Sequence, residues 1–163
     1  KSGYSMKKIT GFTLMEMMVV LAIICILAAF ALPIPQDNVS RKQIAESIEL
    51  IENYKKNIAL YHQTNLKFPV DNAEASMPKP SQLIGNFVTR IELKGGAFHL
   101  YLGNKIHSSL KDKIISIRPI IVKGSPASPV SWICGYSAAP EGMMAVGDNL
   151  TNVDRKHLPL GCR

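Results

Sequence analysis

One apolar stretch near the N-terminus constrains this chain more than any other feature of its sequence. After Glu16 no charged residue occurs until Asp37. An apolar run of about 20 residues is the length that one membrane-spanning helix requires. Glu16 lies near the outer end of the run, and a carboxylate in such a segment by default indicates a functional role. The sequence therefore predicts a membrane helix that carries one functional carboxylate.

The residues around Glu16 resemble the start of a type IV prepilin. The pattern of that family is a short basic leader that ends in Gly, then Phe, then Glu as the fifth residue after the cut, then an apolar helix. This sequence has all of these parts: Lys7, Lys8, Gly11, Phe12 and Glu16. The resemblance continues in Leu27-Ala28-Ala29 and in a Pro-Gln exit from the apolar run at residues 33–36.

The order of basic and apolar residues differs from that of a secretory signal peptide. In such a signal the apolar run precedes the cleavage site, whereas here it follows Gly11. The resemblance implies that a prepilin peptidase cuts after Gly11 and methylates the new amino group on Phe12. We expect Met6 to be the true start and residues 1–11 to be the leader. An uncleaved signal anchor is the alternative.

Charge on either side of the apolar run predicts the orientation of the chain. Lysines precede the run, and the positive-inside rule places such residues in the cytoplasm. The remaining chain is then exported across the inner membrane. Three of the 19 Lys and Arg residues precede Gly11, so the rest carries 16 against 12 acidic residues and a net charge of +4. A mildly basic balance favours DNA or anionic surfaces only weakly.

The three cysteines fall into two groups. Cys25 lies in the apolar run, where we expect it to pack as a small hydrophobe. Cys134 and Cys162 lie in the exported part, and an oxidising compartment favours a disulfide between them. A metal site is the competing interpretation, but the four His residues are scattered and no two cysteines are close in sequence. The segments around both cysteines, residues 132–134 and 158–163, also resemble the C-terminal disulfide loop of type IVa pilins.

Periodicity predicts an amphipathic helix after Pro33 and Pro35, ending near residues 63–65. Its apolar face is the set of residues that repeat at helical spacing between 44 and 61. A Glu52–Lys56 pair at i,i+4 adds modest support. The members of the apolar face are Ile44, Ile48, Leu50, Ile51, Tyr54, Ile58, Ala59 and Tyr61.

Alternating apolar residues predict four antiparallel strands. Residues 87–94 and 98–102 flank a Gly95-Gly96 turn, which indicates a hairpin. Residues 114–122 form a third strand, with Pro119 at an edge or bulge, and residues 130–136 form a fourth. Residues 137–163 are predicted to be a long loop. The resemblance implies an α+β pilin fold, in which residues 12–35 form the hydrophobic helix and residues 36–163 form the head.

The resemblance also implies a role for Glu16 in subunit assembly. In the family, the amino group exposed by cleavage pairs with this Glu on a neighbouring subunit. A buried carboxylate is tolerated when it is paired and costs about 3–5 kcal/mol when its partner is removed. The alternative is that Glu16 simply lies at the lipid headgroups.

Few other patterns indicate a site. Asp148, Asn149, Asn152 and Asp154 could offer oxygen ligands to a cation, but their spacing is not that of a calcium loop, and a solvated loop is the simpler interpretation. Basic residues from Lys105 to Arg118, with Tyr101 nearby, could contact a DNA backbone, or form a solvated face. We expect no enzyme, metal or cofactor.

These observations predict a structural subunit of a type IV pilus, with major-pilin character, that polymerises through its hydrophobic helix. The expected partners are other subunits, prepilin peptidase, membrane lipid, an assembly platform in the inner membrane and, as a further role, DNA. The filament would lie on the cell surface and serve adhesion and twitching motility. The alternatives are a minor or DNA-binding competence pilin, a type II secretion pseudopilin, and a membrane-anchored domain that never polymerises.

Overall fold

The computed structural model describes residues 11–31 and 36–163, with the backbone alone at Gln36. The chain divides into two compact units, Lys1–Ile34 and Pro35–Arg163. The predictions for Met6, Lys7, Lys8, Pro33 and Pro35 lie outside the described residues.

The described part of the first unit contains one helix, α1, from Leu14 to Phe30. Apart from Glu16 in the first turn, its residues are apolar on every side, and none of them is buried. Helix formation across the apolar run is therefore confirmed for these residues. Across residues 11–31 and 36–163, no helix combines the length and the apolar character needed to cross a membrane.

The head begins with two helices in place of the predicted single amphipathic helix. Helix α2 spans Gln36–Glu49 and α3 spans Glu52–Asn65. Between them, the amide of Ile51 donates to the carbonyl of Ile48, three residues back instead of four. The chain therefore makes one tighter turn and continues. The predicted end of the second helix is confirmed, because Leu66 adopts a left-handed conformation with φ 54°.

A stripe of isoleucines defines the buried face of these helices. Ile44, Ile51 and Ile58 recur at a spacing of seven and are fully buried. The prediction for Leu50 is wrong, since it lies one residue away from this stripe and is 41% exposed. The predicted Glu52–Lys56 pair is also wrong. Glu52 instead pairs with Lys55 at 2.6 Å, and Lys55 Nζ also lies 5.9 Å from the centre of the Trp132 ring.

The sheet has five antiparallel strands where the sequence predicts four. The strand order is β1-β2-β3-β4, and β5 pairs with β3 on the same side as β2, beyond the end of β2. The hairpin prediction is confirmed, since Lys94 pairs with Ala97 across glycines that both have positive φ. β5 was missed because three residues carry no readable alternation. The strands are β1 Val88–Lys94, β2 Ala97–Leu102, β3 Ile114–Val122, β4 Ser131–Cys134 and β5 Met143–Ala145.

Two local irregularities alter the predicted alternation of side chains. A shift of register between Val88 and Arg90 puts Val88 in the core and leaves Thr89 exposed. The predicted edge or bulge position of Pro119 is wrong, since this residue is in the central strand β3 and pairs with Trp132. Proline has no backbone N–H to donate. Because the pairing of β3 with β2 ends at Ile117, the missing N–H of Pro119 costs no hydrogen bond between these two strands.

The core lies between the isoleucine stripe and one face of the sheet, as the sequence predicts. Burial of one large aliphatic or Phe side chain in this core stabilises the head by roughly 1.5–3 kcal/mol relative to full exposure of that side chain. The fully buried sheet residues of this core are Val88, Ile91, Leu93, Phe98, Leu100, Leu102, Ile115 and Ile117.

The other face of the sheet is covered by the C-terminal tail (residues 135–163). Ser116 is fully buried there and joins tail to sheet: its hydroxyl accepts from the amide of Leu150 at 2.8 Å, and its amide donates to Thr151 Oγ1 at 3.0 Å. The ring of His99, also fully buried, lies 2.9 Å from the same hydroxyl. β2 is therefore buried on both faces, which accounts for its almost unbroken run of buried residues.

A second irregular segment, the α3–β1 loop (residues 66–87), covers the outer edge of β1. Asn72 is 5% exposed and completes the hydrogen bonding of that edge. Its Oδ1 accepts from the amide of Leu93 at 2.7 Å, and its Nδ2 donates to the carbonyls of Ile91 and Pro78 at 3.2 and 3.0 Å. An edge strand with unpaired amides invites pairing with another chain, so Asn72 protects the head from edge-to-edge association.

Candidate functional site

The chain begins helix α1 with a reciprocal hydrogen-bonded cap. The amide of Glu16 donates to Thr13 Oγ1 at 3.2 Å, while Glu16 Oε2 accepts from the amide of Thr13 at 2.9 Å and from its hydroxyl at 3.0 Å. Each residue thereby satisfies a donor that the helix start leaves open. The sequence analysis did not identify Thr13, although Thr13 and Glu16 have the Thr-x-x-Glu spacing of a capping box.

The cap fixes the position of the Glu16 carboxylate but occupies only part of its hydrogen-bond acceptor sites. Both bonds from Thr13 reach one oxygen, Oε2. An ionised carboxylate has two oxygens and about four lone-pair sites, so Glu16 can still accept bonds from a cation. Thr13 thus orients an acceptor at the first turn of α1, beside apolar side chains that are all exposed.

Gly11 and Phe12 precede the helix in an exposed, non-helical segment. A Cβ added to Gly11 would meet no described atom within 4 Å. Among the described residues, none crowds this position.

The predicted disulfide is present, between Cys134 at the end of β4 and Cys162 next to the C-terminus. Around it, the amide of Tyr136 donates to the carbonyl of Cys162 at 3.0 Å. Gly135 has φ +58°, and a Cβ there would collide with that carbonyl oxygen. Glycine is needed here because the backbone passes so close to Cys162. Cys25 is a free cysteine on the exposed surface of α1.

Two of the four tail residues that could have held a cation, Asn149 and Asn152, bond to the protein itself. Asn149 donates to the carbonyl of Gly135 at 2.9 Å, and Asn152 Oδ1 accepts from the amide of Ile114 at 2.7 Å. These side chains hold the tail in place. Among residues 11–31 and 36–163, no group of three or more His, Cys, Asp or Glu side chains is placed to bind a metal.

The four histidines lie in separate surroundings. His62 stacks on Phe68 with ring centroids 4.2 Å apart, and His157 Nδ1 lies 3.2 Å from Asp37 Oδ1. His107 lies beside Ser109, and His99 beside Ser116. Burial lowers the pKa of His99, while Glu92 and Asp148 oppose that shift.

The candidate DNA patch lacks a free aromatic ring. The guanidinium of Arg90 lies 3.8 Å from the centre of the Tyr101 ring, and the Tyr101 hydroxyl donates to Glu92 at 3.0 Å. Lys105 and Lys111 are exposed, whereas Lys113 and Arg118 are half-buried. The exposed lysines remain able to contact phosphates, but Tyr101 is engaged within the head.

Comparison with known proteins places both parts of the chain in one family. The family of pilins, which form bacterial filaments, matches residues 40–163. The prokaryotic N-terminal methylation motif matches residues 6–32. A fimbrial protein of Neisseria meningitidis serogroup B is 33% identical over 162 residues, covering 94% of this chain and 93% of that protein. The type IV major pilin protein PilE1 of Neisseria gonorrhoeae is 35% identical over 157 residues, with coverage of 94% and 93%. The fimbrial protein EcpC of Eikenella corrodens is 30% identical over 154 residues, with coverage of 94% and 90%.

Proposed function

We propose that this chain, which belongs to the pilin family and is a structural subunit of a type IV pilus, joins its filament as the major subunit through helix α1. The observation that carries the proposal is that α1 exposes apolar side chains on all sides while one carboxylate stands in its first turn. Such a helix is stable when it is buried in lipid or among other helices. Subunits related by a screw operation that does not close form an open filament.

The same helix would serve the chain before and after assembly. We propose that residues 12–35 first anchor the subunit in the inner membrane, with residues 36–163 exported as the head. An assembly platform in that membrane then transfers the subunit to the growing filament on the cell surface. Adhesion and twitching motility, which are typical of the family, would follow from the filament.

Processing would occur at the bond between Gly11 and Phe12. The methylation motif matches residues 6–32 and so includes this bond. Both residues are exposed and precede the helix, so the bond between them is accessible to a peptidase. Cleavage there leaves Phe12 as the first residue, with an amino group that a prepilin peptidase methylates.

Glu16 would then pair with the positive amino group of Phe12 on a neighbouring subunit. Thr13 supports this role because it holds one carboxylate oxygen and leaves lone pairs for the neighbour. Among apolar helices, which slide past one another easily, one ion pair favours a single axial register. Removing one member of a buried pair is costly because the other charge stays unpaired.

Glu16→Gln tests the assembly step directly. We expect the amount of filament sheared from cells to fall at least about tenfold, the factor that corresponds to about 1.4 kcal/mol of lost pairing. Glu49→Gln, at an exposed glutamate that ends α2, is the matched control and should leave the yield unchanged. Normal filaments from the Glu16→Gln variant would show that the pairing is not needed.

Mass spectrometry of the sheared filaments tests processing and abundance together. A major subunit should dominate the sample, begin at a methylated Phe12 and retain the Cys134–Cys162 bond. A chain that is scarce in filaments would be a minor subunit. A chain that stays wholly in the inner membrane would contradict its polymerisation.

A further inference from the structure

Three basic residues lie where the C-terminal tail contacts helix α2. Arg41 Nε donates to the carbonyl of Lys156 at 3.0 Å, which joins the helix to a short 3-10 turn at Arg155–His157. Arg155 and Lys156 are exposed, and Arg41 is half-buried. We name these residues, Arg41, Arg155 and Lys156, the cationic cluster.

Contacts on both sides hold the cluster in a fixed arrangement. His157 is 6% exposed, and its Nδ1 lies 3.2 Å from Asp37 Oδ1 on α2. The guanidinium of Arg155 lies 4.6 Å from the centre of the Tyr136 ring. The turn is thus attached to α2 through two of its residues and to the segment after β4 through a third, which fixes the position of the turn against the helix.

We propose that the cationic cluster binds the anionic phospholipid headgroups of the membrane in which the N-terminal helix is anchored. The inference rests on the proposed membrane stage of the subunit. Only nine residues separate Ala31, at the end of α1, from Arg41. In an anchored chain, the start of α2 is therefore the part of the head that chain connectivity keeps close to the lipid.

The chemistry of the surface matches phospholipid headgroups. Guanidinium and ammonium groups bind phosphate oxygens, the first by paired hydrogen bonds. Basic residues adjacent to a membrane helix are attracted to anionic lipid over about a Debye length, roughly 8 Å at physiological salt. Lys42, next to Arg41, is exposed and adds to the positive charge, while Asp37 faces His157 and Asp154 remains exposed beside the turn.

An exposed apolar residue favours lipid over a nucleic acid or an acidic protein as the partner. Leu160, four residues beyond Lys156, is 81% exposed in the last turn of the tail. Helices that lie in the membrane interface combine Lys and Arg with Leu, Phe or Trp, and the tail offers the same residue types close together in sequence. Assembly would then have to release the head from lipid as well as extract its helix.

Hydrogen exchange on the full chain in nanodiscs tests the inference. Discs of phosphatidylglycerol are compared with discs of neutral phosphatidylcholine, and exchange is followed in peptides that cover residues 154–160. We expect at least about fivefold slower exchange in the anionic discs at low salt, since each basic residue near anionic lipid contributes about that factor. The protection should weaken at high salt.

The variant R155Q/K156Q should lose this protection, while keeping the backbone carbonyl that Arg41 binds. K105Q/K111Q removes two exposed cations elsewhere in the head and should retain the protection. Equal exchange in both kinds of disc, or protection that survives R155Q/K156Q, overturns the inference. So does protection that requires two copies per disc, which would assign the surface to a second subunit. Failure of the chain to enter either disc would instead overturn the proposed anchor, and with it the inference.

Discussion

Two irregular segments complete the head, and they are held by different means. The α3–β1 loop is attached to the edge of the sheet by hydrogen bonds from Asn72. The C-terminal tail is attached to the sheet face through Ser116 and to β4 through the Cys134–Cys162 bond. Both segments lack long regular structure, so each depends on a few specific attachments.

The difference between the segments concerns how each attachment can fail. A disulfide restricts the unfolded chain as well as the folded one, and its stabilisation depends on redox conditions. A buried side-chain amide such as that of Asn72 stabilises only the folded state. Its removal is costly because its buried backbone partners then have neither the amide nor water to bond with. The tail should therefore respond to reduction, and the loop to the loss of a single side chain.

The largest effect is expected from removing the disulfide. The double variant C134S/C162S should lower the free energy of unfolding by about 3–4 kcal/mol, because it frees a long segment of the unfolded chain. Urea denaturation of the full chain measures the loss, and hydrogen exchange should show the tail opening while the α3–β1 loop stays protected. Cys25→Ser, at the free cysteine on α1, is the control. If tail and loop open together, the two segments are not independently held.

The next largest effect is expected from Asn72→Ala. The variant leaves the amide of Leu93 and the carbonyl of Ile91 buried without partners, which costs about 2–3 kcal/mol. It also uncovers the edge of β1, so we expect soluble aggregates in light scattering. Asn65→Ala is the matched control, since Asn65 is exposed and bonds only within its own helix. An Asn72→Ala variant as stable as Asn65→Ala would show that the loop is held by other contacts.

Sequence reasoning could predict the elements whose signals are local. The Gly95-Gly96 turn fixed the hairpin, and the apolar run at residues 114–122 gave the limits of β3. The break in the helix at Leu50 and Ile51 could not be read, because no Pro or Gly marks it.

Attachments across the fold were beyond reach for a different reason. Asn72 in a loop is typical of a turn residue, and its partner Leu93 is 21 residues away. Only the packed structure brings the two together. The same holds for Asp37 and His157, which belong to opposite ends of the head. Thr13 is the exception, since its spacing to Glu16 was a local signal.

A smaller effect is expected from pH, acting on the contact between tail and sheet. Ser116 Oγ accepts from the amide of Leu150 and lies 2.9 Å from Nδ1 of the buried His99 ring, so a charge on that ring would disturb the contact between tail and sheet. Burial lowers the pKa of His99. A histidine with a depressed folded pKa contributes stability above its unfolded pKa, roughly 6.5, and loses it as pH falls towards the folded pKa.

We therefore expect the urea midpoint to fall between pH 7.5 and pH 5, with exchange rising first in residues 148–152. His99→Asn should be less stable at pH 7.5 but show a shallower pH dependence. His107→Asn, at a ring that bonds Ser109 near the surface, should keep the slope of the unmodified chain. An unchanged slope in His99→Asn would assign the acid sensitivity to other groups.

The smallest effect is expected at Glu74, the second attachment of the α3–β1 loop. Hydrogen bonds from the Tyr61 hydroxyl, the Val70 amide and Lys67 lower the pKa of Glu74 from 4.5 to about 2. Its contribution is therefore present above pH 4.5 and lost as pH falls towards 2. Because this network lies at the surface, solvent weakens it. Glu74→Gln should speed exchange in residues 67–75 at pH 7 with little change in the urea midpoint, whereas Glu49→Gln should change neither. A fall in the midpoint as large as that of Asn72→Ala would mean that the loop is held chiefly by its surface charge network, and that the buried amide is the lesser attachment.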